Sequence, residues 1–428
     1  MTKNALKSST NPAQAITWRT PLVRLWFLGS LFYLLQFILR ASPNAMSFYL
    51  VRDFHISATA LGLFASAYYW AYAALQIPLG MLLDRYHPQR ILFAGTFLCL
   101  LGLICFAASP PHFPLALLGR FMMGAGAATG LLSTIASARH LFSAQNLPKA
   151  VSVTLALGNM GGILGNIGLA VTLQHVHWQR ACLYLAAFTL ILNLALWILR
   201  RHFQSPQAAP DYTSQANIFE NLRAVFGNKS LVCLALYSGL VCLPLSLITD
   251  GWGVSFLCYR YGLSTTKAAF MVIFLFMGLI TGAPLTAWLS DHVQKKTTLL
   301  TGYAFLSTTL CCFFLFLNSP IPLLPIFLFG IGFCVSAQTL VLPMAATFTT
   351  PNLASTATGF VNMSIMLGGA LFHPIVGFCI DLFGTTLGLG IQAAYTWGLA
   401  IMPLFIALSA AFAHTLSKKS TLQKSEIL

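Results

Sequence analysis

Long apolar runs are the feature that most constrains this chain. They recur along its whole length, and each is close to the roughly 20 residues that a helix needs to cross the hydrocarbon core of a bilayer. Only 7% of the 428 residues are Asp, Glu, Lys or Arg, against about a quarter in soluble domains. The sequence therefore predicts an all-α polytopic membrane protein and excludes a soluble fold.

Twelve apolar runs predict twelve transmembrane helices, numbered here as spans 1 to 12. The polar segment 201–229 divides them six and six, and it predicts a cytoplasmic linker between two bundles, 22–200 and 230–414. The segments 1–21 and 415–428 are then a cytoplasmic amino-terminal segment and a cytoplasmic tail. The predicted spans are 22–50, 58–83, 90–108, 114–138, 149–173, 179–200, 230–257, 265–289, 297–317, 322–346, 354–380 and 389–414.

Basic residues concentrate in the short segments between the spans. Of the 23 Lys and Arg, 17 lie in segments that are cytoplasmic if both termini are cytoplasmic, as the positive-inside rule requires. This topology accounts for the formal charge of +15, so no nucleic-acid partner is expected. The expected partner is the lipid bilayer, and the expected location is a bacterial-type inner (plasma) membrane.

Residue types that carry catalysis or hold cofactors are sparse. The ten cysteines lie mostly in apolar runs, and none forms a CxxC pair. The nucleotide-binding pattern G-x-x-x-x-G-K-[ST] does not occur. We therefore expect no enzymatic activity, no cofactor and no metal site.

The two halves of the chain resemble each other weakly. A shift of 207 residues places Ser57 on Ser264 and Asp84 on Asp291. Similarity in register between two six-helix halves is typical of transporters built from repeats that an axis along the membrane normal relates.

Charged loops close span 2 and span 8. The first, GMLLDRYHPQR (80–90), resembles the G-x-L-x-D-R-x-G-R-R loop of the major facilitator superfamily, and APLTAWLSDHVQKK (283–296) is its counterpart. The glycine-rich stretches GRFMMGAGAATG (119–130) and GNMGGILGNIG (158–168) resemble spans 4 and 5 of that family. The resemblance implies the major facilitator fold of two pseudo-symmetric six-helix bundles. It also implies a conformational latch formed by Gly80, Asp84, Arg85, Arg90 and Asp291.

Two stretches resemble one branch of the family. FYLLQFILRASPNAMSFYLV (32–51) is similar to the first span of organophosphate antiporters and anion:cation symporters, which place an arginine there for an anionic substrate. TDGWGVSFL (249–257) resembles their span 7. The organophosphate antiporters carry a second arginine in span 7, and this chain has none in LPLSLITDGW (243–252).

Arg40 stands in the middle of the first apolar span. It is ten residues before Leu50, or about 15 Å below the predicted outer end of the span. A charge at that depth costs at least about 2.5 kcal/mol when it faces lipid, so we expect Arg40 to face a cavity or an opposite charge. Pro43 cannot donate to the Leu39 carbonyl, which can bend the helix. The alternative is a structural arginine bound to backbone carbonyls.

Asp250 is the one acidic residue inside an apolar span. The shift of 207 maps it onto position 43, one helical turn from Arg40, so the two should lie at similar depth and face one cavity. A substrate anion that competes for Arg40 would favour protonation of Asp250, which would make Asp250 the proton-coupling group. The alternative is a structural cap near the outer helix end.

Further candidates line the same cavity. Gln36 lies four residues before Arg40, on the same helix face, and Arg120 in span 4 adds a second cation or, alternatively, a structural link between helices. Packing inside the bundle is the alternative for the aromatic candidates. The remaining candidates for substrate binding are Tyr68, Tyr69, Trp252, Gln338, Asn362 and His373.

The membrane charges predict a secondary active transporter of a small organic anion. Guanidinium groups suit carboxylate or phosphate, so the candidates are a sugar acid, a carboxylate (including a carboxylate siderophore) and an organophosphate. Alternating access, coupling to a proton or a counter-substrate, and a functional monomer are expected. The alternatives are a proton-driven exporter of drugs or metabolites and a membrane receptor.

Overall fold

The computed structural model describes residues 20–143, 146–199, 218–293, 296–350 and 353–425, and every regular element in them is helical. Eleven helical segments have the length and hydropathy of a membrane span. The twelfth, span 2, is the 28-residue helix Ala58–Arg85. The prediction of twelve spans is confirmed. The other spans are Pro21–Phe54, Pro88–Ala107, Phe113–Arg139, Lys149–Thr172, Trp178–Leu199, Lys229–Tyr261, Thr265–His292, Lys296–Phe316, Ile321–Thr347, Thr356–Thr386 and Ile391–Leu416.

Half of the spans are interrupted along their length. Spans 5, 7 and 11 contain π-helical turns, at Leu164–Gly168, Ile248–Trp252 and Leu382–Thr386. Spans 4 and 12 each consist of two helical pieces and span 10 of three, and a short helix, Ile218–Gly227, precedes span 7. The α-helical and 3₁₀-helical pieces of the interrupted spans are Phe113–Ala127 and Thr129–Leu141 in span 4; Leu147–Ile163 and Leu169–Thr172 in span 5; Lys229–Val241, Leu243–Leu247 and Gly253–Tyr261 in span 7; Ile321–Leu323, Leu324–Val335 and Gln338–Thr347 in span 10; Ala354–Asp381 in span 11; and Ile391–Leu399 and Ile401–Ser425 in span 12.

The predicted segments outside the bundles are only partly described. Residues 1–19 of the amino-terminal segment, 201–217 of the linker and 426–428 of the tail lie outside the described residues. The domain bounds and the cytoplasmic location of the linker therefore stay predictions from the sequence.

The two halves meet most closely along span 2 and span 11. Gly62 faces the backbone of His373, and Gly377 faces the backbone of Ala58, at distances that leave no room for a Cβ atom. Small residues let transmembrane helices approach in this way. The close contact places the middle of span 2, with its tyrosines, opposite span 7.

Asp381 closes one end of the interface between the halves. We call this end the outer face, following the orientation that the sequence predicts. The Asp381 carboxylate accepts hydrogen bonds from the backbone N–H groups of Ala58 (3.0 Å) and Thr59 (2.8 Å) and from the Thr59 hydroxyl (2.6 Å). It therefore binds the positive amino-terminal end of span 2, where a carboxylate is favoured.

A second contact at the outer face is equivalent, by the internal repeat, to the contact of Asp381 with span 2. Gln174, which follows span 5, donates a hydrogen bond to the Thr266 hydroxyl at the start of span 8. The shift of 207 residues maps Gln174 onto Asp381 and Thr59 onto Thr266. The same pair of positions thus joins the halves twice, once with a charge and once without.

A cavity of about 460 Å³ opens between the outer ends of spans 1, 2, 7, 11 and 12. Its lining includes Ser47 and Ser255, whose hydroxyl oxygens are 2.8 Å apart and join span 1 to span 7. Phe48 and Tyr259 pack beside them, with ring centroids 5.5 Å apart. This layer separates the outer cavity from the middle of the bundle.

Candidate functional site

Arg40 and Asp250 form an ion pair in the middle of the molecule. Arg40 Nε lies 2.9 Å from Asp250 Oδ2, and the two side chains are 8% and 1% exposed. The partners belong to opposite halves, span 1 and span 7, at the common depth that the repeat predicts. Because each neutralises the other, a charge that would be costly alone can remain buried.

The Asp250 carboxylate is held by span 7 and span 2 together. The Tyr69 hydroxyl donates to Oδ2, the oxygen that also faces Arg40, and the Thr249 hydroxyl donates to Oδ1 at 2.9 Å. Asp250 is the third residue of the π turn Ile248–Trp252. A π turn places one more residue in the turn than an α-helix does, and here it holds Asp250 at the boundary between the halves.

Arg40 keeps hydrogen-bonding capacity. Its guanidinium lies over the Phe37 ring, 4.1 Å from the centroid, and its Nη2 has no hydrogen-bond partner among the described residues. The contact with Asp250 through Nε is ionic and is not aligned as a hydrogen bond. An incoming anion can therefore bind Arg40 through donors that the protein leaves open.

Arg120 binds the backbone of span 1. Its Nη1 donates to the Leu39 carbonyl, and its Nη2 donates to the Arg40 carbonyl at 2.9 Å. Ser42 also donates to the Leu39 carbonyl, at 2.8 Å. Pro43 cannot supply an N–H to that carbonyl, so Arg120 and Ser42 take its place. The geometry favours the structural link that the sequence left open for Arg120.

The buried charges do not balance. Among the described residues, the buried side chains that carry a full charge are Arg40, Arg120 and Asp250, so two guanidinium groups share one carboxylate. The excess of one positive charge lies in a region of low dielectric, where an uncompensated charge is costly. A bound anion would remove that excess.

His373 supports the turn that carries Asp250. Its Nε2 lies 3.1 Å from the Ser246 hydroxyl, and its ring centroid is 5.4 Å from that of Tyr69. The imidazole packs directly on Gly251, the residue after Asp250. His373 therefore belongs to the wall of the ion-pair site, although the structure shows no contact between its ring and Arg40.

Gln36 is a buried amide without partners. The residue is 2% exposed, and neither its Oε1 nor its Nε2 has a hydrogen-bond partner among the described residues. Its backbone carbonyl accepts a bond from the Tyr68 hydroxyl at 3.0 Å, and the Tyr68 ring faces Arg120 at 4.8 Å. Gln36 thus offers a donor and an acceptor one helical turn from Arg40.

Three of the predicted lining residues contact residues outside the Arg40–Asp250 pair. Trp252 packs edge-on against Tyr395 of span 12, Gln338 accepts a weak bond from the Cys242 thiol, and Asn362 donates to Gln76 at 3.1 Å. The contacts of these three residues are not with Arg40 or Asp250. The residues that the structure brings together are Arg40, Asp250, Tyr69, Tyr68, Arg120, Gln36 and His373.

No sequence motif marks Asn44, which the structure places beside the Arg40–Asp250 pair. Asn44 is fully buried and binds the carbonyls of Ile248 and Thr249 across the interface. The available signal was its position, a polar amide one helical turn after Arg40. Such a residue on an apolar helix faces the protein interior for the same reason that Arg40 does.

The predicted latch is only partly described. Gly80 is exposed, and a Cβ there would meet nothing within 4 Å, so close helix packing does not explain this glycine. Arg90 and Asp291 are exposed. The side chains of Asp84 and Arg85 lie outside what the structure describes.

The comparison with protein families decides the kind of protein. The profile of the Major Facilitator Superfamily matches residues 25–373. The chain belongs to this family. Its fold of twelve spans in two six-helix bundles is the one that the resemblance implied, and that expectation is confirmed.

Relatives within the superfamily have different substrates in their names. The chain is 24% identical over 262 residues to the "Chloramphenicol resistance protein CraA" of Acinetobacter baumannii, covering 60% of this chain and 62% of that protein, which is less than two thirds of its length. It is 21% identical over 337 residues to the "Probable galactarate/D-glucarate transporter GudP" of Escherichia coli (strain K12), covering 69% and 74%. It is 23% identical over 389 residues to the "Probable hexose phosphate transport protein" of Chlamydia trachomatis, covering 82% and 83%.

A solved structure shares the fold of this major facilitator. The crystal structure of a bacterial homolog to the human lysosomal transporter Spinster, inward-facing and unoccupied, superposes with a TM-score of 0.76 at 15% identity, covering 94% of this chain and 98% of that chain. Family and fold are those of transporters. The protein is a multi-pass membrane protein of this family.

Proposed function

We propose that the protein is a secondary active transporter of a small organic anion, coupled to protons through Asp250. The observation that carries the proposal is the unequal sharing of one buried carboxylate by two buried guanidinium groups. Arg120 is engaged with carbonyls, so Arg40 is the group that receives the anion. Carboxylates and phosphates fit a guanidinium through two parallel hydrogen bonds.

Anion binding and proton binding support each other in this site. When an anion occupies Arg40, the Asp250 carboxylate loses its counter-charge and remains buried beside Tyr69 and Thr249. A buried carboxylate without a counter-charge favours taking up a proton. Each ligand therefore raises the affinity for the other, as linkage requires, and anion and proton move together as in symport.

The loaded site also eases the movement of the halves. In the empty transporter the Arg40–Asp250 pair joins span 1 to span 7, and separating it would leave two unpaired charges in a low-dielectric region. With an anion on Arg40 and a proton on Asp250, both groups are neutralised within their own half. The ion pair thus acts as a lock that the two ligands release together.

The remaining features of the proposal come from the sequence. Both termini are cytoplasmic in a bacterial inner membrane, and the loops at 80–90 and 283–296 form a latch at the inner face. The transporter works as a monomer, since each chain carries a complete site between its two halves. Gln36 binds a polar group of the substrate beside Arg40.

Uptake into proteoliposomes tests the proposal. Purified protein is reconstituted and given D-glucarate, glucose 6-phosphate, citrate or chloramphenicol, with and without an inward proton gradient. We expect uptake of at least one of the three anions, accelerated by the gradient. Transport of chloramphenicol alone, or of none of the four, would overturn the proposal.

A drug exporter is the second candidate. The similarity to CraA favours it, as do the aromatic rings of Phe37, Tyr68 and Tyr69 around the ion pair. In that case Asp250 would exchange a proton for a substrate moving outward. The two candidates differ in their need for Arg40, because a neutral drug does not require a guanidinium.

A further inference from the structure

Asn44 joins three helices through one amide. The two N–H groups of its Nδ2 are shared among three acceptors, Asn166 Oδ1 (2.7 Å) and the carbonyls of Ile248 (3.0 Å) and Thr249 (3.1 Å), and its Oδ1 accepts from the Val254 N–H (3.0 Å). The Val254 N–H can only donate, which fixes the orientation of the Asn44 amide. Asn44 is thus fully satisfied between span 1, span 5 and span 7.

All of these partners lie in or beside π turns. Ile248 and Thr249 begin the π turn of span 7, where the Gly253 N–H donates to the Ile248 carbonyl, five residues back. Asn166 lies in the π turn of span 5 and donates to the Gly162 carbonyl. The Asn44 amide therefore supplies a partner from outside to both irregular turns.

The Asn44 contacts lie next to the ion pair along both helices. Asn44 follows Arg40 by one helical turn on span 1, and Thr249 precedes Asp250 on span 7. The two helices are therefore cross-linked twice in succession, first by charge and then by the amide. The Ser47–Ser255 contact adds a third cross-link at the floor of the outer cavity.

We propose that Asn44 is a positioning residue that holds the π turn of span 7 so that Asp250 faces Arg40. This inference rests on the proposed function, in which Asp250 carries the proton. When the halves separate at the outer face, span 7 leaves Asn44. A π turn that then tightens to an α-helix loses one residue from the turn and rotates its flanks by about 100°, which turns Asp250 away from Arg40. Opening the outer face and releasing the ion pair are one event.

The opening of the outer face can be measured without any substrate through the accessibility of a buried native cysteine thiol. Cys242 is buried in span 7, on the inner side of Asp250, and Cys258 is half-buried near the outer end of that span. A membrane-impermeant maleimide is added to the outer face, and labelling of each cysteine is followed by mass spectrometry. Cys258 reports that the reagent is present, and Cys242 reports that the path past Asn44 is open.

The expected result is non-additive. Asn44→Leu should speed the labelling of Cys242 about tenfold, the effect of one or two lost hydrogen bonds, and Asp250→Asn should also speed it. The double variant should be no faster than the faster single variant, because the two residues act as a unit. The inference would be overturned if the acceleration of Cys242 labelling in the double variant equalled the product of the two single accelerations. It would also be overturned if Asn44→Leu labelled at the wild-type rate.

A matched control separates this role from general packing. Asn193 is also a buried asparagine, and it donates to Phe93 and Thr96 within one half. Asn193→Leu should leave the labelling of Cys242 unchanged. If Asn44→Leu lowers the unfolding temperature too far for the assay, Asn44→Ser is used, since its shorter side chain cannot reach span 7.

The outcome is separate from that of the uptake experiment. Labelling needs no anion, so a chain that transports none of the anions can still show the non-additive rates. Conversely, a proton-coupled anion transporter with additive rates would keep the proposed function and remove Asn44 from it.

Discussion

Arg120 donates a hydrogen bond to the carbonyl of Leu39, the acceptor that Pro43 leaves without its helical partner. The two buried arginines therefore have different tasks. Arg120 stabilises the irregular part of span 1, and Arg40, whose carbonyl Arg120 also binds, presents its guanidinium to the other half. Under the proposed function, Arg40 is then available for exchange between Asp250 and a ligand.

Arg40→Lys should strongly reduce anion transport although it keeps the charge. Lysine loses the planar fork, the contact with the Phe37 ring and the open Nη2 donor. We expect initial uptake in proteoliposomes to fall at least about tenfold, equivalent to roughly 1.4 kcal/mol. Arg52→Lys is the matched control on the same helix, since Arg52 is 62% exposed and paired with Asp53. Equal loss in the two variants would remove Arg40 from the binding site.

Asp250→Asn should separate accumulation from exchange. The variant cannot carry a proton, so concentrative uptake driven by a pH gradient should be lost. Counterflow exchange of labelled for unlabelled anion should remain, because exchange needs no net proton movement. The check is to measure both assays on one preparation. If counterflow is lost along with accumulation, Asp250 is structural.

Removing both charges should be less harmful to stability than removing one. Arg40→Gln alone leaves Asp250 buried without its partner, at a cost of about 3 to 5 kcal/mol. The double variant Arg40→Gln/Asp250→Asn leaves no unpaired charge between the two positions. We expect its unfolding temperature in detergent to exceed that of Arg40→Gln. A double variant that unfolds earlier would contradict a direct pairing.

Arg120→Met should destabilise the protein, and Pro43→Ala should offset part of the loss. The first change removes two hydrogen bonds from a charged group to the buried carbonyls of Leu39 and Arg40, at about 1.5 to 3 kcal/mol each. The second restores an N–H that can donate to the Leu39 carbonyl. Thermal unfolding of the two single variants and the double variant gives the coupling between them. Strictly additive changes would show that Arg120 acts elsewhere.

Asp381→Asn should loosen the outer face more than Gln174→Ala does. A carboxylate at a helix amino terminus contributes about 0.3 to 2 kcal/mol, so labelling of Cys242 from the outer face should rise about two- to thirtyfold in Asp381→Asn. Thr385→Ala, at the same end of span 11, serves as the control. An equal effect of Gln174→Ala and Asp381→Asn would show that the charge adds nothing.

The common depth of Arg40 and Asp250 could be predicted from the sequence because apolar surroundings restrict charges strongly and the repeat places both residues in equivalent spans. Whether the two side chains pair directly could not be decided, since a buried arginine can also bind backbone carbonyls or a ligand. The role of Arg120 was not decidable, because nothing in the sequence shows which carbonyl a long side chain reaches.

The lining residues were harder to predict because a sequence gives a helix face and not a side-chain direction. Trp252 stands two residues from Asp250, yet it packs against Tyr395. The π turns in spans 5 and 7 rotate the residues beyond them, and no residue pattern announced either turn. Asn44 acquires its importance from those turns, which explains why sequence reasoning missed it.

The unlike pair at the outer face has a consequence for how the molecule opens. Asp381 and Gln174 occupy equivalent positions in the two halves. In a perfect repeat, the contact of span 2 with span 11 and the contact of span 5 with span 8 would therefore separate equally easily. Here the contact of span 11 with span 2 has a carboxylate at a helix end, and the contact of span 5 with span 8 has a neutral amide. The outer face should therefore open first between spans 5 and 8, and added salt should weaken only the contact between spans 2 and 11. Under the proposed function, a substrate that enters from outside should therefore approach the ion pair from the side of spans 5 and 8.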